Sequence, residues 1–555
     1  MPMNPATALA GVLIDELARC GVTDAVVSPG SRSTPLVLAL HDHPSIRLHV
    51  RIDERSAGFC ALGLAAVRRG PVLVVCTSGS AAANLHPAVV EADHSGIPLI
   101  LLTADRPAEL HGTGANQTMD QTRLFGNAVR LFTDVGTPEA RPGMVRYWRS
   151  LAGRAVEAAR TGPVHLNVPF RKPLVGSAAD WPEPLDGRPG GEPWTVVHHS
   201  PPGTFTLDTP ARGLVVAGAT DVDPAAIAEF AEAAGWPILA EPHSNARRGP
   251  NALSAYGWLV RDPDFLAAHR PDLVVTVGRP GLNTVLLDLV EDVAQVVVDP
   301  AVAGRWPDPS RSAAQVFPVL PAPVPAEPGC GWLKQWTDAD LTARAVVDAW
   351  LDRCAEPTEL RMARDVVATI PPGALLLVGA SMAVRNVDLV ASVRDDVRVV
   401  SNRGQSGIDG AISTAVGAAL AHQQSGGGHA YALLGDLTAV HDQSGLIIGP
   451  RETRPDLTVV VVNNNGGSIF GMLPGIGSFA GFDRLFTTPH DVDLAHVAAA
   501  AGWRFTRVTT SAQLPSALRP GEGGTHLVEV RTHPGEEHAE RKLIQRAVSA
   551  ALAHA

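Results

Sequence analysis

The sequence predicts an α/β protein of three domains, each an open, mostly parallel sheet flanked by helices. Short β-branched runs alternate with amphipathic, Ala-rich stretches, and two Pro- and Gly-rich segments interrupt that rhythm. The 555 residues also suffice for several hydrophobic cores, at roughly 100–200 residues per domain.

The first run of strands, Ala25–Val27, Val72–Val75, Leu99–Leu102 and Val164–Val168, defines a domain over residues 1–175. Residues 170–205, rich in Pro, Gly, Asp and Trp, then read as a linker, as does Phe317–Gly331 (FPVLPAPVPAEPGCG). Between them Leu214–Gly218, Pro237–Ala240, Leu273–Val277 and Gln295–Val298 predict a middle domain over 205–318. Ala374–Val378, Val397–Ser401, Ala430–Leu434 and Leu457–Val462 predict a third over 335–555.

Composition narrows the function classes. A formal net charge of −11 argues against general attraction to nucleic acid or anionic lipid, which requires clustered Lys and Arg. Cys20, Cys60, Cys76, Cys330 and Cys354 are scattered and without C-x-x-C spacing, so neither a disulfide framework nor a zinc site is expected, and a reducing cytoplasm is the simplest location. Asp15, Glu16 and Arg19 interrupt the apolar pattern of Met1–Cys20, which predicts an amphipathic helix rather than a signal peptide. No window approaches the roughly 18 consecutive apolar residues of a membrane span.

The strongest local signal is Gly435-Asp436 after one apolar strand, with Asn463-Asn464-Asn465-Gly466 after the next. The 28 positions from Asp436 to Asn464 make one βαβ crossover, which brings both side chains to the C-terminal edge of neighbouring parallel strands, where open sheets bind ligands. A carboxylate, an amide oxygen and a backbone carbonyl suit a hard cation such as Mg²⁺ completed by phosphate. Taken singly, Asp436 also reads as a helix N-cap and the Asn run as a turn.

Glu54 follows the run Leu48–Asp53 and opens an Ala/Gly-rich amphipathic stretch, so it stands at a strand-to-helix junction, where a helix dipole alone also favours an acid. Its neighbour Asp53 is expected to face away. Three arginines occupy comparable edges: Arg32 in Ser28–Ser33, Arg385 after Gly379-Ala380-Ser381, and Arg403 in Ser401–Gly410. Backbone N–H groups at such edges attract anions and a guanidinium adds bidentate carboxylate contacts, although each arginine alone equally fits a surface ion pair.

The Asp436/Asn464 spacing resembles the metal and diphosphate signature of the thiamine diphosphate enzymes. PGSRSTPL (29–36), IDERSAGF (52–59), TGANQT (113–118), SNRGQSGIDG (401–410) and NNNGGSIF (463–470) are together similar to the 2-succinyl-5-enolpyruvyl-6-hydroxy-3-cyclohexene-1-carboxylate synthases of menaquinone biosynthesis. The resemblance implies a pyrimidine-binding first domain and a diphosphate- and metal-binding third domain around the middle one. It implies a transferase that decarboxylates 2-oxoglutarate and adds the succinyl carbanion to isochorismate, with thiamine diphosphate and Mg²⁺ (or Mn²⁺). Glu54 then hydrogen-bonds the aminopyrimidine. Gly404, Ile408, Gly435 and Leu437 join it in holding the cofactor, Ile408 propping its bent form, while Asp436, Asn464 and Gly466 hold the metal. Arg32, Gln117, Ser381, Arg385 and Arg403 contact substrate or intermediate, and Phe470 and Leu473 wall the isochorismate pocket, unless these last two are ordinary core residues. A homodimer or homotetramer, with the cofactor site between subunits, is implied as well.

His111, in Leu110-His111-Gly112, is an outside candidate beside Gln117. The pattern departs from that of some relatives at Gly278–Val285, where no adjacent basic pair occurs, so Arg279 or Arg305 substitutes or one carboxylate is held differently. The resemblance disfavours a carboligase of the acetohydroxyacid synthase kind, which would lack this arginine set. Intact Glu54, Asp436 and Asn464 argue against a non-catalytic binding module. No G-x-G-x-x-G follows a strand with an acid about 20 positions on, against a nicotinamide dehydrogenase.

Overall fold

The computed structural model describes residues 4–554 except 178–180, 201–202, 301–304, 326–330, 474 and 522. Cys330 and the end of the second predicted linker therefore lie outside the described residues. The chain forms two compact units, one of Met1–His199, Asn402–Gly426 and His441–Asp456, the other of Ser200–Ser401, Gly427–Val440 and Leu457–Ala555.

The first unit is built on six parallel strands, β1 (Asp24–Val27), β2 (Arg47–Val50), β3 (Val72–Cys76), β4 (Leu99–Asp105), β5 (Leu131–Asp134) and β6 (Val164–Pro169), in the order β2-β1-β3-β4-β6-β5. The β3 and β4 strands, hydrophobic in sequence and buried along their whole length, are central, as parallel strands covered on both faces must be. The predicted N-terminal helix is present as Pro5–Arg19, capped by the Asn4 side chain, and buries Leu9 and Leu13 in one core with Trp148 and Phe170.

The second unit carries two larger sheets and a short strand pair. The pair begins with β7 (Thr206–Thr209). Strands β8 (Gly213–Ala217), β9 (Ile238–Ala240), β10 (Leu273–Val277), β11 (Ala294–Val298) and β12 (Ala313–Phe317) are ordered β12-β11-β10-β8-β9. Next comes β13 (Ala322–Pro325), the partner of β7. Strands β14 (Leu375–Val378), β15 (Arg398–Val400), β16 (Ala430–Gly435), β17 (Leu457–Asn463), β18 (Arg504–Val508) and β19 (Thr525–Arg531) are ordered β15-β14-β16-β17-β19-β18. One core runs under both larger sheets, from Trp236, Trp258 and Trp336 to Leu376 and Val460.

The second predicted linker is not wholly irregular. Strand β7 follows the first, and β13 lies inside the second and pairs with β7 in parallel. A Pro-rich strand is possible because Ala322, whose N–H donates to Phe205 O at 2.8 Å, alternates with Pro323 and Pro325, whose missing donors point off the ladder.

The six-stranded sheets share one strand order, so corresponding edges carry corresponding groups. Each second strand leads to a helix, Glu54–Arg68 after β2 and Ala411–Gln424 after β15. Both helices are buried almost all round and both belong to the first unit, where they cross at glycines. A Cβ on Gly63 would lie 2.1 Å from Thr414 O, and one on Gly417 would lie 1.9 Å from Cys60 O. Only glycine permits that backbone approach.

Candidate active site

In the first unit, β2 ends at Val50 and the Asp53 side chain accepts the Arg55 N–H at 2.9 Å, capping the helix that Glu54 opens. Asp53 is thus occupied by the backbone, and Glu54 is left half-buried at the C-terminal edge of the sheet. Its carboxylate is near the end of β3: burial first, and the Glu54 charge second, push the Cys76 thiol far above its usual range.

The loops after β1, β3 and β4 converge on one polar cluster. The buried Arg32 donates from Nη1 to Phe170 O at 2.7 Å. Burial first, then the neighbouring Arg106 guanidinium, lowers the Arg32 pKa, with Asp105 opposing. Arg106 in turn donates to the Ser78 hydroxyl, and Ser78 Oγ donates to Gln117 O at 2.9 Å. Gln117 Nε2 returns a bond to Ser78 O at 2.9 Å, and Gln117 adopts a left-handed backbone at φ 55°. Arg32, Arg106, Ser78 and Gln117 are therefore brought together. His111 joins the edge of this cluster, its Nε2 3.0 Å from Arg106 O and 3.5 Å from Asp105 Oδ2, so it is bonded rather than simply solvated.

The segment with Arg403, Gly404 and Ile408 also belongs to the first unit. Its anchor is the buried Glu91, whose Oε1 accepts the Gly404 N–H and whose Oε2 accepts the Gln405 N–H, both at 2.7 Å. A Cβ at Gly404 would stand 2.4 Å from Glu91 O. Arg403 is buried and Ile408 half-buried.

The second unit holds the oxygen-rich cradle. Asp436 begins a short helix directly after β16, and Asn464 follows β17. The Gly466 N–H is shared between Asp436 Oδ2 at 2.8 Å and Asn464 Oδ1 at 3.1 Å, so a carboxylate oxygen and an amide oxygen converge on one point. Asp436 Oδ1 accepts the Leu437 N–H at 2.7 Å. Burial raises the Asp436 pKa despite these bonds and despite His490, 3.4 Å away. A buried carboxylate so disfavoured as an anion is one that a cation would stabilise. Among the described residues no group of three or more His, Cys, Asp or Glu is placed to hold a metal ion.

Ser381, at φ 65°, precedes the helix Met382–Val390, and Arg385 on its first turn donates to Ser381 O at 2.7 Å. Phe470 is half-buried against Phe486, ring centroids 5.8 Å apart, and Leu473 is 45% exposed, so neither is an ordinary core residue. In the middle sheet's loops, Arg279 pairs by its backbone with Ala219 and Arg305 is exposed.

Glu91, Arg106, Ser78 and Glu359 escape sequence reasoning. Arg106 carried a usable signal, since it follows the apolar run of β4 at the ligand-facing edge. Glu91 and Glu359 lie within helices and carried none.

Residues 7–124 match the thiamine pyrophosphate enzyme, N-terminal TPP binding domain, and residues 382–530 the corresponding C-terminal TPP binding domain. The chain is 54% identical to the 2-succinyl-5-enolpyruvyl-6-hydroxy-3-cyclohexene-1-carboxylate synthase of Thermobifida fusca, over 99% of this chain and 100% of that one. It is 48% identical to the Saccharopolyspora erythraea synthase of the same name, with the same coverage, and 45% identical to that of Kineococcus radiotolerans, over 99% and 100%. Similarity of this extent, with the Asp436/Asn464 cradle in place, means that the chain belongs to the 2-succinyl-5-enolpyruvyl-6-hydroxy-3-cyclohexene-1-carboxylate synthase family of thiamine diphosphate enzymes.

Proposed function

We propose that this chain couples the decarboxylation of 2-oxoglutarate to conjugate addition of the remaining succinyl unit to isochorismate, giving the product for which its relatives are named, with release of CO₂. The observation that carries the reading is the convergence of Asp436 Oδ2 and Asn464 Oδ1 on the Gly466 amide, a hard-oxygen cradle at the strand ends where a diphosphate and Mg²⁺ or Mn²⁺ fit. Thiamine diphosphate, when bound, supplies the electron sink for CO₂ loss.

The chain's own residues bind, orient and protect. Asp436, Asn464 and the Gly466 carbonyl hold the metal; Gly435, Leu437, Gly404 and Ile408 contact the cofactor. Glu54 holds a proton at the aminopyrimidine ring. Arg32, Gln117, Ser381, Arg385 and Arg403 bind the substrate carboxylates, a role that suits the buried guanidinium of Arg32 beside Arg106, because charge contacts strengthen where water is excluded. Phe470 and Leu473 wall the isochorismate side.

The same reading divides the chain into a pyrimidine-binding domain (1–175), a middle domain (205–318) and a diphosphate domain (335–555), working as a cytoplasmic homodimer or homotetramer. No helix among the described residues is long and apolar enough to cross a membrane. The deciding experiment is mass spectrometry of the product formed from 2-oxoglutarate and isochorismate, with and without thiamine diphosphate and Mg²⁺. Consumption of pyruvate in place of 2-oxoglutarate would overturn the assignment.

A further inference from the structure

The amide of Asn464 has two chemically opposite ends, and only its oxygen can ligate a cation. The Gly466 N–H, two residues on, engages the oxygen at a long 3.1 Å and shares itself with Asp436. The structure adds a second, shorter constraint on the nitrogen end from a distant helix. Asn464 Nδ2 donates to Glu359 Oε1 at 2.6 Å, while Oδ1 accepts the Gly466 N–H on the side of Asp436.

Glu359 is itself held. It opens the helix Glu359–Thr369, whose first turn is capped by the Thr358 hydroxyl accepting the Arg361 N–H at 3.2 Å. Its carboxyl hydrogen-bonds Glu537, in the first turn of the helix Glu536–Leu552. Arg541 donates to Glu537 Oε1 from Nε at 2.8 Å and from Nη2 at 2.7 Å, and its Nη2 also reaches Asn386 Oδ1. Both glutamates are buried, so Oε1 of Glu359 has no solvent to turn toward and stays an acceptor aimed at Asn464.

We propose that Glu359, fixed by Glu537 and Arg541, is a positioning residue that locks the Asn464 amide with its oxygen toward the divalent cation. A flipped amide would place an NH₂ group where the metal needs a lone pair, and would set the amide oxygen against the Glu359 oxygen. Both changes are unfavourable, so the lock has one stable setting. The inference rests on the reading of Asp436 and Asn464 as metal ligands. It adds a requirement that this reading does not contain: an acceptor at position 359, outside the ligand set and in a separate stretch of the chain.

The test compares Glu359→Met, which keeps volume and removes the acceptor, with Glu359→Gln, whose Oε1 still accepts from Asn464 while its Nε2 donates to Glu537. Mn²⁺ is titrated by electron paramagnetic resonance in the presence of thiamine diphosphate, and thermal unfolding is recorded with neither present. Glu359→Met is expected to weaken Mn²⁺ binding roughly 10- to 100-fold, the usual consequence of losing a group that orients a metal ligand. Glu359→Gln is expected to bind as the wild type does. Equal affinity in all three proteins, or equal weakening in both variants, would overturn the proposal. If Glu359→Met does not fold, a crystal structure of the wild-type protein with Mn²⁺ and thiamine diphosphate decides: Asn464 Nδ2 on Glu359 and Oδ1 on the metal supports the lock, and any other orientation removes it. Wild-type protein that fails to bind Mn²⁺ would instead sink the functional reading itself.

Discussion

Glu91 holds Gly404 by its backbone: one carboxylate oxygen accepts the Gly404 N–H and the other accepts the next N–H along, both at 2.7 Å. A buried side chain in the helix His86–Ser95 thus sets the path of the segment that carries Arg403 and Ile408. Hydrogen bonds to a charged acceptor contribute about 1.5–3 kcal/mol each, and removing the acceptor leaves the N–H groups of the half-buried Gly404 and the exposed Gln405 without it. Glu91→Ala is expected to cost about 2 kcal/mol of stability and to lower kcat/KM further than the stability loss explains. Glu91→Gln, which keeps one acceptor, should fall between. Urea unfolding alongside steady-state kinetics of the folded variants checks both; unchanged kinetics in Glu91→Ala would mean that the segment holds its path without this anchor.

The reciprocal approach of Gly63 and Gly417 makes a second prediction. Inserting a single methyl drives Cβ to 2.1 Å from Thr414 O in Gly63→Ala and to 1.9 Å from Cys60 O in Gly417→Ala. Backbone oxygens cannot swing aside as a flexible side chain can, so the helices must separate along their length. Each substitution is expected to destabilise by about 3 kcal/mol, at or beyond the upper end of ordinary overpacking. By contrast Gly153, with open space around its Cβ position on the helix Met144–Ala159, should accept alanine without loss. Differential scanning calorimetry of the three variants separates these outcomes.

These two contacts also mark where the sequence was legible and where it was not. The strands were readable because β-branched runs such as Val72–Cys76 announce a buried parallel strand locally, and Asp436 and Asn464 were readable because one crossover fixes their common edge. The two prolines of β13 hid a strand, since a missing N–H is harmful only at positions that face the ladder. Glu91, Arg106 and Glu359 act on groups 313, 28 and 105 positions away, at Gly404, Ser78 and Asn464. No local pattern encodes such a pairing. The shared strand order of the two six-stranded sheets was likewise invisible, because it is carried by edge-strand placement rather than by repeated residues.

His165 gives the pH prediction. It lies on β6 with Nε2 2.7 Å from Thr103 Oγ1 and its ring packed between Phe125 and Phe132, and burial lowers its pKa from 6.5 to about 4. Between those values the unfolded chain binds a proton that the folded chain refuses, so unfolding takes up protons and stability falls as the pH drops. Across the whole window the loss reaches about 3 kcal/mol, because one proton taken up on unfolding costs about 1.4 kcal/mol for every pH step of one. Above pH 7 the group contributes no slope. His165→Gln removes the titration, so its stability should decline less than that of the wild type between about pH 7 and pH 4.5. Parallel urea curves at the two pH values measure the difference, and an identical decline in both proteins would assign the acid sensitivity elsewhere.

The last prediction separates the roles proposed for Glu54 and Asp436. Glu54 opens a helix whose cap is supplied by Asp53, so Glu54→Gln changes a carboxylate for an amide of the same shape without disturbing the local fold. Its loss should be chemical: turnover falls by about 10²–10⁴, the range for losing a positioned proton-transfer group, while cofactor affinity is nearly unchanged. Asp436→Ala should behave in the opposite way. It removes the acceptor for the Leu437 and Gly466 N–H groups together with the buried carboxylate, so thiamine diphosphate and Mg²⁺ no longer bind at wild-type concentrations and added metal restores little. Quenching of tryptophan fluorescence by thiamine diphosphate, set beside the initial rate of product formation, reads the two effects on one sample. If Glu54→Gln lost binding and Asp436→Ala kept it, the assignment of ring contact to Glu54 and of diphosphate and metal to Asp436 would have to be reversed.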